Sequence, residues 1–190
     1  MLADFLLVGL LVGWLRRGRL ENLSRVRFSF LWLVLLGMIA KFVFLFLELP
    51  MATLFHLLSM GMVFLGTLLN LRLAGMPLLS LGSLTNILVM AANQGKMPVH
   101  VGVARWLGLE SLVHSLERGL YPEYVVMGPS SRLPFLGDVL PYFSPLFRKF
   151  FVVSIGDYLL GLGVLWFLIR YMGRKENAIC RVESPKRSFR

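Results

Sequence analysis

The stretch "FFVVSIGDYLLGLGVLWFLIR", from Phe150 to Arg170, decides the fold of this chain. Its apolar run is as long as a helix that crosses a bilayer, which needs roughly 17–25 residues. It nevertheless contains one carboxylate, Asp157, near its start. A charged group in hydrocarbon is costly, so such a group usually faces other helices or water. The stretch therefore predicts a transmembrane helix with a sheltered aspartate, and Gly156, Gly161 and Gly163 predict close helix approach.

The composition of the whole chain agrees with this interpretation. Of its 190 residues, 57% are hydrophobic and 16% are charged, whereas about a quarter of the residues in a soluble domain are charged. A soluble domain of this size could not bury so much apolar surface. The lipid bilayer is therefore the expected partner, with other membrane subunits as further candidates.

Four more apolar segments precede the last one, separated by breakers such as Pro50 and Pro77. The predicted fold class is all-α, a polytopic membrane bundle of about five transmembrane helices. A single membrane domain covers residues 1–175, and a basic cytoplasmic tail covers residues 176–190. The predicted spans are residues 1–15, 28–47, 51–72, 76–93 and 150–171.

Blocks of basic residues predict the orientation in the membrane. The loop "RRGRLENLSRVR" carries five arginines against one glutamate, and the tail after Ile169 is also basic. Basic loops stay in the cytoplasm. The N-terminus is therefore expected outside and the C-terminus inside the inner (cytoplasmic) membrane. Topology accounts for the net charge of +10, and no nucleic-acid partner is expected because no basic reading face is visible.

The outer segment, residues 94–149, is more than a linker. The stretch "VHVGVARWLGLESLVHSLERGL" has apolar residues near helical spacing and predicts one helix in the interface plane. The next stretch, "YPEYVVMGPSSRLPFLGDVLPYFSPLFRK", is rich in Pro, Gly and aromatic residues. It predicts an irregular loop packed over the outer mouth of the bundle, where protein or water covers its backbone.

Asp138 lies in that loop, nineteen residues before Asp157. If the chain folds back, the two carboxyls meet, one keeps its proton, and the pair can act as base and acid. The alternatives are that Asp138 is a turn or cap residue and that Asp157 locks helices together through a hydrogen bond. Both alternatives stay open at this point.

The remaining candidate binding residues are Asn86, Asn93, Lys96 and Ser154. Asn93 either ends a helix or lines the same outer site, where Lys96 would neutralise a phosphate or lower a carboxyl pKa. Lys41, in the second span, is expected to reach outward to the interface. No cofactor and no metal are expected, because the chain has one cysteine, Cys180, and its histidines lack ligand spacing.

Two resemblances rest on these same segments. The stretches "NILVMAANQGKMPV", "FLGDVLP" and "SIGDYLLGLGVLWFLIRYM" resemble a family of bacterial multi-pass membrane proteins of unknown function, with Gln94 where Gly is common. More locally, "GDVL" and "SIGDYLLGLGV" are similar to the end of lipoprotein signal peptidases. That similarity implies a catalytic dyad of Asp138 and Asp157 at the outer leaflet, although Ser154 and Gly156 replace an Asn and an Ala of the peptidase motif.

Two functions follow as expectations. The first is an accessory or ligand-binding membrane subunit with a polar Asn/Asp cluster at the outer leaflet. The alternative is an aspartyl intramembrane hydrolase that uses Asp138 and Asp157 on lipid-linked substrates.

Overall fold

The computed structural model describes residues 1–46 and 52–173, without the side chains of residues 41–46 and 52–53. The side chain of Lys41, the thiol of Cys180 and the predicted basic tail therefore lie outside the described residues.

Five apolar α-helices occupy the places where the apolar segments predicted helices. They are α1 (Leu2–Leu15), α2 (Leu31–Phe46), α3 (Ala52–Leu68), α4 (Met76–Ala92) and α7 (Ile155–Met172). Within the described residues, α7 alone is long and apolar enough to cross a membrane, and the other four are shorter apolar helices. The structure thus confirms a mostly helical chain but does not support five full-length spans. One reason is that turns shorten the predicted segments, as where α3 ends at Leu68 rather than at residue 72.

Small residues allow the helices to pack closely. Helix α7 packs between α4 and α1, while α4 also contacts α3, which in turn contacts α2. A Cβ added to Gly82 of α4 would lie 2.5 Å from the carbonyl oxygen of Gly156 in α7. Gly161 faces Phe5 of α1, and Gly163 faces Leu79 of α4. The prediction that the glycines of the last helix permit close approach is confirmed.

The predicted single interfacial helix is wrong, because this stretch forms two shorter helices. These are α5 (Val101–Trp106) and α6 (Glu110–Glu117). The break falls at Gly108, whose φ of +72° does not belong to a right-handed helix. An ion pair of 2.9 Å between Arg105 and Glu117 joins the two helices.

The outer loop contains strands, so the fold is not purely α-helical and the loop is not irregular throughout. Strand β1 (Met97–Val99) pairs in parallel with β2 (Tyr124–Val126), and β3 (Leu140–Ser144) pairs antiparallel with β4 (Lys149–Val153). The run Phe150–Val153 was predicted to open the last span. It forms a strand instead, since its aromatic and β-branched residues favour an extended backbone.

A small apolar core joins the helices to the strands. Val89 and Met90 of α4 pack with Met97 of β1, and Tyr124 of β2 lies against this cluster. The core therefore fixes β1 and β2 over the end of α4, which positions the polar groups described next.

Candidate functional site

Asp157 lies in the first turn of α7, because this helix begins at Ile155 and not at residue 150 as the predicted span had it. Ser154 is the residue before the helix, and its Oγ accepts a hydrogen bond of 3.0 Å from the amide of Asp157. The Oδ2 atom of Asp157 accepts in return from the amide of Ser154, at 3.3 Å. This reciprocal capping box satisfies two amides at the helix start. The spacing Ser-x-x-Asp is a sequence signal that predicts it.

Asn86 of α4 connects this helix start to the neighbouring helix. Its Nδ2 donates to Oδ1 of Asp157 at 2.9 Å, and its Oδ1 accepts from Oγ of Ser154 at 3.0 Å. Asn86 and Ser154 are both buried. We call Asn86, Ser154 and Asp157 the polar cluster. Both carboxylate oxygens of Asp157 accept hydrogen bonds within it, so the cluster fixes Asp157 and locks α4 to α7.

Asp138 is held beside β1 by its backbone. Its amide donates to the carbonyl of Pro98, and its carbonyl accepts from the amide of His100, each at 2.9 Å. Gly137 permits this approach, because a Cβ there would lie 2.5 Å from the carbonyl oxygen of Pro98. The tertiary fold thus carries Asp138 to the end of the bundle where α7 begins.

The side chain of Asp138 is only 6% exposed, and its Oδ1 has no hydrogen-bond partner among the described residues. Burial raises the pKa of this carboxyl to about 8, and the negative charge of Asp157 adds to the shift. Asp138 is therefore protonated at neutral pH. Asp157 lies near enough for its negative charge to contribute to this shift.

Tyr124 of β2 belongs to the same region, although sequence reasoning missed it. Burial raises the pKa of its phenol, and the negative charges of Asp138, Glu123 and Asp157 raise it further. The phenol therefore stays neutral, and it lies close enough to both aspartates for their charges to affect its pKa. No motif marks this tyrosine, because only the parallel pairing of β1 and β2 brings it to the site.

Asn93 and Lys96 do not join the polar cluster. Asn93 ends α4, and its Nδ2 donates to the carbonyls of Val89 and Arg132, both at 2.7 Å. Its Oδ1 accepts from the amide of Arg132 at 2.8 Å. The side chain therefore ties the loop of residues 127–133 to α4, a contact that neither alternative had predicted, while Asn93 does end the helix. Lys96 is exposed and forms no ion pair with a described acid.

Replacing Asn93 with Ala should release this loop. The change removes three hydrogen bonds, each of which contributes about 1 kcal/mol. We expect hydrogen–deuterium exchange around Arg132 to become roughly tenfold faster or more, since about 1.4 kcal/mol corresponds to a factor of ten. Asn22→Ala is the matched control, because Asn22 bonds the carbonyl of Met172 instead. Unchanged exchange at Arg132 in Asn93→Ala would show that the side chain of Asn93 does not hold this loop.

A second buried carboxylate, Asp4 of α1, was also missed. Oγ of Ser144 donates to Asp4 at 2.7 and 2.8 Å, and the amide of Leu146 donates at 3.0 Å. Asp4 therefore caps the turn between β3 and β4. Its signal is a lone acid early in an apolar segment, the same signal that singled out Asp157. Within the described part of the chain, no group of three or more His, Cys, Asp or Glu residues could hold a metal ion.

Comparison with known proteins covers most of this chain. A family of unknown function, DUF5317, matches residues 25–169. A Thermotoga maritima protein described as uncharacterized is 28% identical over 169 residues, which are 89% of this chain and 90% of the relative. No solved structure matches the chain. These matches confirm a likeness to a family of unknown function, while the individual motifs and the likeness to signal peptidases stay predictions.

Proposed function

We propose that this chain, which belongs to the DUF5317 family of unknown function, is a multi-pass membrane protein that hydrogen-bonds a polar group at Asp138. The group belongs to a ligand or to a partner subunit, and the polar cluster holds Asp157 in place beside it. The single observation that carries this proposal is the buried Oδ1 of Asp138, which has no hydrogen-bond partner among the described residues.

The surface of the apolar helices supports a membrane location. Large apolar side chains stand outward on α1, α2, α3 and α7, with Leu15 78% exposed and Ile39 59% exposed. Only 28% of the α7 segment is buried within the protein. Helices that are apolar on every side belong in a core or in lipid, and an apolar surface this large is unfavourable in water. We propose that the bundle lies in the inner membrane. The basic loop of residues 16–27 supports an orientation with the N-terminus outside and the C-terminus in the cytoplasm.

Cysteine labelling tests this orientation directly. In a Cys180→Ser background, Ser130→Cys adds a thiol to the outer segment and Ser24→Cys adds one to the first basic loop; both serines are exposed. A membrane-impermeant maleimide should label Ser130→Cys in intact cells, and should label Ser24→Cys only after permeabilisation. The reverse pattern, or equal labelling of both, would overturn the orientation.

The unpaired oxygen of Asp138 is the reason to expect a bound group. A buried polar atom without a partner costs about 1–3 kcal/mol, and such atoms are rare in native proteins. Each carboxylate oxygen of Asp157 accepts a hydrogen bond, whereas Oδ1 of Asp138 accepts none among the described residues. Protonated at neutral pH, it can donate through its hydroxyl and accept through its carbonyl oxygen.

Purification from native membranes tests the binding role. We expect a component that copurifies with the wild-type protein, is lost from Asp138→Ala, and is retained by Lys96→Gln, a control at an exposed charge near the site. Melting temperatures measured in parallel show whether each variant is folded. If a folded Asp138→Ala keeps every component of the wild type, the binding role of Asp138 is wrong.

The difference in environment between Asp138 and Asp157 favours a second candidate, an aspartyl hydrolase for lipid-linked substrates. Two acids whose environments separate their proton affinities suit general acid and base roles. On this alternative the carboxyls lie within about 6 Å of each other, where charges perturb each other. Purified protein should then cleave a lipid-modified peptide, and both Asp138→Asn and Asp157→Asn should abolish cleavage without unfolding. If the protein binds the lipid-modified peptide but does not cleave it, the hydrolase function is wrong and the binding function remains.

A further inference from the structure

We propose that a groove along α1 binds one anionic phospholipid in the leaflet next to the first basic loop. The groove lies at the opposite end of α7 from Asp157, between α1, the short 3-10 helix of Leu20–Arg25 and the last residue of α7, Met172. We call it the α1 groove. The inference rests on the membrane location proposed above, but on none of the residues of the Asp138 site.

The wall of the α1 groove suits an acyl chain. Leu7, Leu10, Leu11 and Trp14 stand at helical spacing on one face of α1, and Leu20 and Met172 add to the apolar lining. The cavity has a volume of about 540 Å³, within the range of roughly 300–1,000 Å³ typical of ligand sites. Its lining on α1 runs from Leu7 to Trp14, so the groove offers an acyl chain an apolar surface along this helix.

The end of the α1 groove next to the first basic loop is positively charged, which favours a lipid with a negatively charged headgroup. Arg19 lines the groove, and Arg16 and Arg17 are exposed just before it. None of the three forms an ion pair with a described acid. Glu21 also lines the groove, so the local balance is three positive charges to one negative. Guanidinium groups bind phosphate through charge-assisted hydrogen bonds, and Trp14 suits the depth of the headgroups.

Hydrogen bonds within the protein fix the basic end of the α1 groove, so its position does not depend on a bound lipid. The amide of Arg19 donates to the carbonyl of Met172 at 3.0 Å, and the amide of Gly18 donates to that of Gly13 at 2.9 Å. Nδ2 of Asn22 also donates to the Met172 carbonyl, at 3.0 Å. A Cβ on Gly18 would lie 2.5 Å from the same oxygen, so the chain turns here against the end of α7. Arg19 is thus placed by the fold at the mouth of the groove.

Quenching of Trp14 fluorescence by brominated lipids tests the proposal. A variant with Phe at the other three tryptophan positions, Trp32, Trp106 and Trp166, reports on the α1 groove alone. It is reconstituted in bilayers of a zwitterionic phospholipid, and a brominated phospholipid, either anionic or zwitterionic, is titrated in. Since one basic residue near the headgroups corresponds to about a fivefold preference, we expect the anionic lipid to bind about fivefold more tightly or better. Arg19→Gln should lower that preference about fivefold, while Arg118→Gln, an exposed charge of the outer segment, should not change it.

A Trp166-only variant separates this inference from the proposed function. Trp166 lies on the exposed face of α7, away from the groove, and both brominated lipids should quench it equally. If Trp166 is quenched and Trp14 shows no preference for the anionic lipid, the α1 groove is ordinary lipid contact and the inference fails. If Trp166 is quenched and Trp14 is not, a protein segment occupies the groove, and the inference fails as well. If neither is quenched, the membrane location itself is wrong.

Discussion

Replacing Asp138 with Asn should raise the melting temperature of the detergent-purified protein at pH 8–9 and flatten its dependence on pH. In the folded protein the pKa of Asp138 is raised from 3.8 to about 8. Between these values the unfolded chain releases a proton that the folded chain keeps, so stability falls as pH rises. The slope is about 1.4 kcal/mol per pH unit, with a total loss of at most about 6 kcal/mol over the shift from 3.8 to about 8. Above the folded pKa no further loss occurs, and Asn carries no such penalty.

Two variants check the cause of this pH dependence. Asp157→Asn removes the charge that adds to the Asp138 shift, so the pH at which stability stops falling should move lower. Infrared absorption of the protonated carboxyl, followed against pH, reports the same change directly. Glu110→Gln removes an exposed acid and should leave both measurements unaltered. A wild-type slope that persists in Asp138→Asn would show that another group titrates.

Replacing Gly156 with Ala should destabilise the protein by about 1–3 kcal/mol, the usual cost of overpacking. The new Cβ would meet Oδ1 of Asn86 and Oγ1 of Thr85. Asn86 would have to move, and its hydrogen bonds to Ser154 and Asp157 would lengthen or break. Because α4 and α7 are joined through this contact, we expect a clear drop in melting temperature together with faster amide exchange in the first turn of α7.

Gly61→Ala is the matched control for this prediction. Gly61 also lies inside a helix, α3, but a Cβ there meets no atom of the described residues within 4 Å. Alanine is favoured over glycine in a helix by about 1 kcal/mol, so Gly61→Ala should leave the melting temperature unchanged or raise it. Equal losses of stability in the two variants would mean that the polar cluster is not the cause.

The sequence by itself determined where the apolar helices lie. The apolar runs of the sequence, separated by the basic loop, Pro50, Gly75 and the outer segment, predicted five helices close to their observed bounds. Such a prediction succeeds because hydrophobicity and helix breakers act within a short segment. The glycines of the last helix also predicted close packing correctly. Local patterns could have predicted more, since Ser-x-x-Asp at Ser154 is the signature of a capping box and places the helix start directly after Ser154.

Only the tertiary structure decided which polar groups meet. Asn86 and Asp157 are 71 residues apart, and Asp4 and Ser144 are 140 residues apart. No local pattern records such pairs, because each depends on how two helices or a helix and a hairpin approach. Packing between distant elements also decides the burial of Asp138 and the position of Tyr124 near it. The pairing of the short strands in the outer segment depends on packing in the same way. Hydrophobic periodicity places an element along the chain, whereas hydrogen bonds and charge coupling depend on distances in space that packing alone sets.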